Sequence, residues 1–263
     1  MLLLVSVILI HEAGHFIAMK FFGYKGVNMT FVPFVGAYVS GTATNLSRKN
    51  KLIVLLAGPV PGIIIGSILF YLHQNNFEGI YYQLAMPFLL LNVFNLLPVF
   101  PLDGGQFFQT LFFNGSRIIQ LIFLAVSFCA LIYFFFTLNY AWPLLIIAAL
   151  ILLRMGNINF NNKVRKQLDA AGIDYACSYD DLTDTEYWQI RNVLISESKL
   201  LGKKYSAEEQ SENEQLMIRY IERILVPAYH DDLSAGHKIV FLLVWAAAFA
   251  LPVLQWLQYK GGF

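Results

Sequence analysis

The stretch Val7-Ile8-Leu9-Ile10-His11-Glu12-Ala13-Gly14-His15-Phe16-Ile17-Ala18 sets two histidines and a glutamate in the middle of an apolar run, Met1 to Phe22. On an α-helix, residues four apart share a face one turn apart, so His11 and His15 can offer their imidazoles to one metal ion with Glu12 beside them. This H-E-x-x-H pattern is the arrangement found in zinc hydrolases. Zinc lowers the pKa of a bound water to roughly 7, and a neighbouring carboxylate takes its proton, freeing a nucleophile to attack a carbonyl. A five-residue match can arise by chance in a soluble chain. Inside an apolar span it has another weight, because ionisable groups there are expensive to bury and mark function. At about 1.5 Å per residue from Met1, His11 lies roughly 15 Å deep in a hydrocarbon layer about 30 Å thick.

The composition agrees with a bilayer setting. Hydrophobic residues make up 57% of the 263 and charged residues 13%, and the mean hydropathy is +0.57, too apolar for a surface that must meet water everywhere. The formal net charge is +1, so no electrostatic bias advertises nucleic acid as a partner. Cys129 and Cys177 fall in unlike surroundings and are not expected to pair. No basic leader or small-residue cleavage site precedes His11, so the first segment is expected to stay in the membrane.

Six apolar segments follow: Met1 to Phe22, Leu52 to Leu72, Ile80 to Leu97, Arg117 to Leu138, Trp142 to Leu153 and Ile239 to Leu257. A perpendicular span needs about 20 residues. The fifth segment therefore crosses only if residues from Leu138 onward join it, and is otherwise re-entrant or interfacial. Lys20, Lys25, Arg48, Lys49 and Lys51 lie in or beside one connection, and Arg154, Lys163, Arg165 and Lys166 follow segment five, whereas 73–79 and 139–141 hold no Lys or Arg. Cytoplasmic loops carry the excess of Lys and Arg. Six alternating spans put every basic loop in the cytosol and both termini outside.

Between the first two segments, 27–44 is rich in β-branched, aromatic and glycine residues, which predicts short strands with Pro33 at an edge or bend. Residues 154–238 hold 14 of the 17 carboxylates and 11 of the 18 basic groups. Apolar residues such as Ile190, Val193, Leu194, Met217, Ile221 and Leu225 recur there at helical spacing. The expected organisation is a membrane core over 1–153 with a β element at 27–44, a cytosolic helical region over 154–238, and a last membrane helix over 239–263. The fold class is an all-α membrane protein of about six transmembrane helices.

A catalytic zinc takes three protein ligands and leaves one position open. Outside the polar region the carboxylates are Glu12, Glu78 and Asp103. Glu78 falls in a loop expected outside, whereas Asp103 follows segment three at the cytoplasmic half toward which His11 and His15 descend, so Asp103 is the candidate third ligand. The plainer reading is a turn aspartate before Gly104-Gly105. Pro98 and Pro101 break the helix before it, and irregular backbone at membrane depth must line a cavity or be buried in protein. Asn92 and Asn95 share a helical face there, where their amides could hold a substrate backbone or could equally bridge helices.

His11-Glu12-Ala13-Gly14-His15 together with Asn95-Leu96-Leu97-Pro98-Val99-Phe100-Pro101-Leu102-Asp103-Gly104-Gly105 resembles the site-2 protease family of intramembrane zinc metalloproteases. The resemblance covers about residues 1–105. It implies that His11, His15 and Asp103 bind one catalytic zinc, that Glu12 is the base, and that Asn95, with Asn92, helps position substrate. It also implies a membrane-protein substrate with a transmembrane helix, cut in or near the bilayer to release a product to the cytosol, in a multi-pass protein of a bacterial cytoplasmic membrane. The 27–40 stretch looks like that family's membrane-associated β element. A helical substrate hides its carbonyls, so it must unwind first, and pairing with the edge of 31–40, at Phe34, Gly36 and Tyr38, would hold it extended. Ala57-Gly58-Pro59 resembles the second-span motif, although Val60, Pro61 and Gly62 follow where that family often has an asparagine. The spacing leaves no room for a PDZ domain, and 154–238 lacks the strand-helix alternation of the paired regulatory modules of other branches; that region could receive a regulatory protein, sense a ligand or restrain access. The competing class is a membrane metal transporter or metal-binding scaffold, which would need the ligands and not the adjacent Glu12.

Overall fold

A computed structural model of the chain describes residues 2–32, 36–42, 47–75, 79–113, 116–137, 142–177, 179–206, 214–225 and 232–261. Helix α1 (Leu2–Phe21) is stopped by Gly23, whose φ of 73° lies in the left-handed region that glycine alone enters without strain. Gly23 N–H donates to the Lys20 carbonyl and Tyr24 N–H to that of Met19, which satisfies the last turn of the helix in a Schellman arrangement. The chain turns directly into a hairpin, β1 (Lys25–Val32) antiparallel to β2 (Gly36–Thr42), with Met29 opposite Val39 and Thr30 opposite Tyr38. The small β element is therefore present, packed against α1. Pro33 and Phe34 lie outside the described residues.

Ser47 caps α2 (Arg48–Ala57), its hydroxyl accepting from Asn50 N–H, and Gly58 separates that helix from α3 (Pro59–Gln74). Pro59 and Pro61 have no N–H for the carbonyls of Leu55 and Ala57 four residues back, so the helix breaks here and frees backbone oxygen. Arg48, counted in the sequence as a loop charge, is buried and donates to the Thr110 carbonyl in the last turn of a later helix. A cation there complements the negative end of the helix dipole.

Helix α4 (Ile80–Asn95) packs extensively on α3 and ends before Pro98. The link Leu96–Leu102 leads to α5 (Asp103–Phe112), which begins at the aspartate itself. Three long helices follow in the chain: α6 (Arg117–Thr137), α7 (Pro143–Ala171) and, near the C-terminus, α11 (Ala235–Gly261). The Trp245 indole of α11 donates to the Leu96 carbonyl at 2.9 Å and stacks edge-on with Phe108, which closes one side of the link.

Among the described residues, five helical stretches are long and apolar enough to cross a membrane: Leu2–Phe21, Arg48–Gln74, Arg117–Thr137, Leu144–Ala171 and Ala235–Tyr259. This is an all-α membrane protein with, among the described residues, one two-stranded sheet. The third expected segment is α4, whose 16 residues rise only about 24 Å. The fifth is not a short piece of a dozen residues. Its helix continues past Leu153 through a polar sequence to Ala171, because helical backbone bonding persists after the apolar face ends.

Contacts divide the chain into two units, Met1–Ile151 with His230–Phe263, and Leu152–Tyr229. The second unit gathers its own core from Val164 and Leu168 of α7, from α8 (Asp184–Glu197), α9 (Lys199–Lys204) and α10 (Glu214–Ile224). Thr183 and Glu186 form a capping box at the start of α8. Fully buried Arg191 is held by the Glu214 carboxylate and the Ser206 carbonyl, as a charge without water requires.

Candidate metal centre

The buried residues of α1 are Val7, His11, His15 and Ala18, one stripe at helical spacing. The two histidines are thus the polar members of the face that α1 turns inward, 4% and 6% exposed. Asp103 reaches them from the first turn of α5. His11 Nε2 lies 3.1 Å and His15 Nε2 3.2 Å from Asp103 Oδ2, and the two Nε2 atoms lie 3.2 Å apart. Of the described residues, these three alone form a group of His, Cys, Asp or Glu able to hold a metal ion.

Glycine makes this convergence possible. A Cβ on Gly14 would overlap the Ala57 carbonyl, whose helical partner Pro61 has no N–H to give, so α1 approaches the α2–α3 break backbone to backbone. A Cβ on Gly58 would lie 2.5 Å from Cε1 and 2.8 Å from Cδ2 of His15, so the imidazole occupies the space where a side chain would be. Cβ atoms on Gly104 and Gly105 would strike the backbone of Leu96, Leu97 and Val99. The pair lets α5 start directly on the link and carry Asp103 inward.

The far sides of both rings are committed. His15 Nδ1 is 2.8 Å from the Val54 carbonyl, which only accepts, so that nitrogen carries the proton. His11 Nδ1 is 2.8 Å from Asn92 Oδ1, and the other end of the same amide, Nδ2, donates to the Phe88 carbonyl at 2.7 Å. In the neutral rings, both Nε2 lone pairs and one carboxylate oxygen then crowd together, mutually repulsive until a cation is shared among them. Two imidazoles and a carboxylate match the nitrogen and oxygen donors of a zinc site with one position left open, so the donor set fits the metal.

Glu12 lies beside this cluster and outside the group of His11, His15 and Asp103, half-buried, with Val39 of β2 near its carboxylate. Among the substrate candidates, Tyr38 is 51% exposed on β2, Gly36 begins that strand, and Phe34 lies outside the described residues. Asn95 ends α4 half-buried, with no hydrogen-bond partner for its amide among the described residues. Asn92 differs from the reading that gave it to substrate. It is fully buried with both ends of its amide engaged, one of them on His11. The backing atoms Val54 O and Asn92 Oδ1 left no mark in the sequence, since any residue supplies a carbonyl and an asparagine has many uses.

The model of Peptidase family M50 matches residues 1–74, the part that holds α1, the hairpin, α2 and α3. This part of the chain is thus similar to the M50, or site-2 protease, family. A zinc metalloprotease of Methanocaldococcus jannaschii is 34% identical over 115 residues, 42% of this chain and 33% of that protein. Stage IV sporulation protein FB of Bacillus subtilis is 33% identical over 119 residues, 43% of this chain and 40% of that protein. The chain thus spans between a third and two-fifths of the length of these relatives. The M50 match implies zinc, and His11, His15 and Asp103 are the residues that could hold it.

Proposed function

We propose that this membrane protein is a zinc metalloendopeptidase that hydrolyses peptide bonds in or near transmembrane segments of other membrane proteins. The observation that carries the reading is the meeting of His11 Nε2, His15 Nε2 and Asp103 Oδ2 beside Glu12, on a helix apolar enough to span a membrane. The M50 match over residues 1–74 and a relative named as a zinc metalloprotease support it.

Bound between these ligands, zinc supplies a Lewis acid for the scissile carbonyl and brings the pKa of a water into the neutral range. The chain's own groups do the rest. The Glu12 carboxylate removes a proton from the attacking water and returns it to the leaving amine nitrogen. The buried Nδ1–H bonds to Val54 and Asn92 keep both Nε2 lone pairs on the metal side. The Asn95 amide holds the substrate backbone. Among the described residues β2 pairs with β1 on one side only, and Val39 lies near Glu12, which brings the strand to the base. An unwound substrate added along the open edge of β2, passing Gly36 and Tyr38, would run past the carboxylate. A shallow apolar surface lined by Leu4, Met86, Pro87, Leu90, Phe94 and Leu97 among others lies between α1 and α4. Its Leu97 carbonyl is packed on Gly104, next to Asp103.

The basic loops favour a site opening to the cytosol, and the likeness to a Bacillus subtilis protein suits a bacterial cytoplasmic membrane. There the cut would serve regulated intramembrane proteolysis, with residues 154–238 receiving a regulatory protein. The test is a transmembrane peptide incubated with the purified protein in detergent. Cleavage is expected to stop on zinc chelation and to return when one equivalent of zinc is restored. Cleavage that survives complete removal of metal would refute the reading.

A further inference from the structure

The two histidines are backed by different kinds of atom. His15 leans on a main-chain carbonyl, whereas His11 leans on a side chain, Asn92, which one substitution removes. We propose that Asn92, seated in the space left by Gly62, is a positioning residue that fixes His11 as its Nδ1–H tautomer and so presents Nε2 to the metal. The inference rests on the reading of His11, His15 and Asp103 as ligands.

An asparagine amide has an accepting end and a donating end. Here the Phe88 carbonyl takes the donating end at 2.7 Å, so the accepting oxygen must face His11. The His11 nitrogen opposite that oxygen must then carry the proton, which leaves Nε2 with its lone pair. Turned over, the amide would offer N–H to Nδ1 and drive the proton to Nε2, where the ring cannot ligate. A backbone carbonyl of α4 thus decides, through one amide, whether His11 can bind metal. Outer partners of this kind set both the tautomer and the orientation of a ligand histidine.

Gly62 makes the arrangement possible. A Cβ there would lie 2.6 Å from Cγ and 2.9 Å from Oδ1 of Asn92, so any side chain at 62 displaces the amide. Asn92 is wholly buried, and its alternative role as plain interhelical glue would be indifferent to which His11 nitrogen holds the proton. The tautomer separates the two.

The experiment uses the full chain in detergent, with zinc affinity measured by competition against a chromophoric chelator and the His11 tautomer by ¹⁵N resonances of labelled histidine in metal-free protein. Asn92→Leu is expected to weaken zinc binding by about 10- to 100-fold and to lose the single Nδ1–H form. Asn92→Asp keeps an acceptor toward Nδ1 but sets a carboxylate oxygen against the Phe88 carbonyl, so it is expected to bind zinc less tightly than wild type yet more tightly than Asn92→Leu, with the tautomer preserved. Gly62→Ala should reproduce the loss on its own and add nothing to Asn92→Ala, because the collision needs both groups. Wild-type affinity and tautomer in Asn92→Leu, an equal loss in Asn92→Asp, or a silent Gly62→Ala would each overturn the proposal. His11→Ala separates the levels: if zinc binding survives it, the ligand assignment itself fails, whereas its loss alongside an unaffected Asn92→Leu removes Asn92 alone.

Discussion

Glu12→Gln is expected to leave zinc bound and to abolish cleavage. Glu12 is outside the group formed by His11, His15 and Asp103, so an amide of the same shape changes no metal ligand. What it removes is the only group at this position able to accept a proton and give it back. General base and acid work of that kind accounts for about 10²- to 10⁴-fold in rate. The pair of readouts matters, because a carrier or scaffold that merely holds the ion would lose nothing when this glutamate is neutralised. Purified Glu12→Gln with one zinc per chain and a cleavage rate reduced by at least about 100-fold supports the protease. Undiminished cleavage would remove Glu12 from the chemistry.

Gly58→Ala should empty the site from the opposite direction, through packing. Gly58 has φ −71° and ψ −64°, ordinary helical values that alanine adopts freely, so backbone strain plays no part. The added methyl instead meets the His15 ring, with Cε1 at 2.5 Å and Cδ2 at 2.8 Å. The ring cannot retreat without giving up its bond to the Val54 carbonyl on one side or Asp103 on the other. Displacing a catalytic group by about 1 Å costs on the order of 100-fold in rate, and zinc occupancy should fall with it. Gly156→Ala is the matched control. Nothing lies within 4 Å of a Cβ there, and alanine in a helix interior is worth up to about 1 kcal/mol over glycine, so metal and activity should be unchanged. Full activity in Gly58→Ala would show that His15 does not lie where the structure places it.

Both variants touch residues whose type was readable in advance and whose reason was not. The His11 and His15 spacing was legible because a helix puts residues four apart on one face, and the inward stripe Val7, His11, His15, Ala18 is that face. Asp103 could be singled out because carboxylates are scarce outside the polar region, and the structure brings it to both histidines. The reason for Ala57-Gly58-Pro59 was hidden. A motif states that glycine is there, but only the fold shows that an imidazole fills the missing side chain. The same holds at Gly62, where the sequence shows no asparagine after the motif and the structure shows the amide of Asn92 in that space, delivered from α4. Asn92 itself was read toward substrate because an asparagine on a helix face points either way until its neighbours are known. The length of α7 escaped for a simpler cause. Hydropathy falls at Arg154 while the helix runs on to Ala171, since charge ends an apolar span and does not end a helix.

The measurement that bears most directly on the metal centre is zinc stoichiometry in the purified full chain. One tightly bound ion per chain is expected, falling to a small fraction in each of His11→Ala, His15→Ala and Asp103→Ala while the Glu12→Gln protein keeps it. One ion per chain retained in the Asp103→Ala protein, or no zinc bound by the wild type, would contradict a site built from α1 and α5.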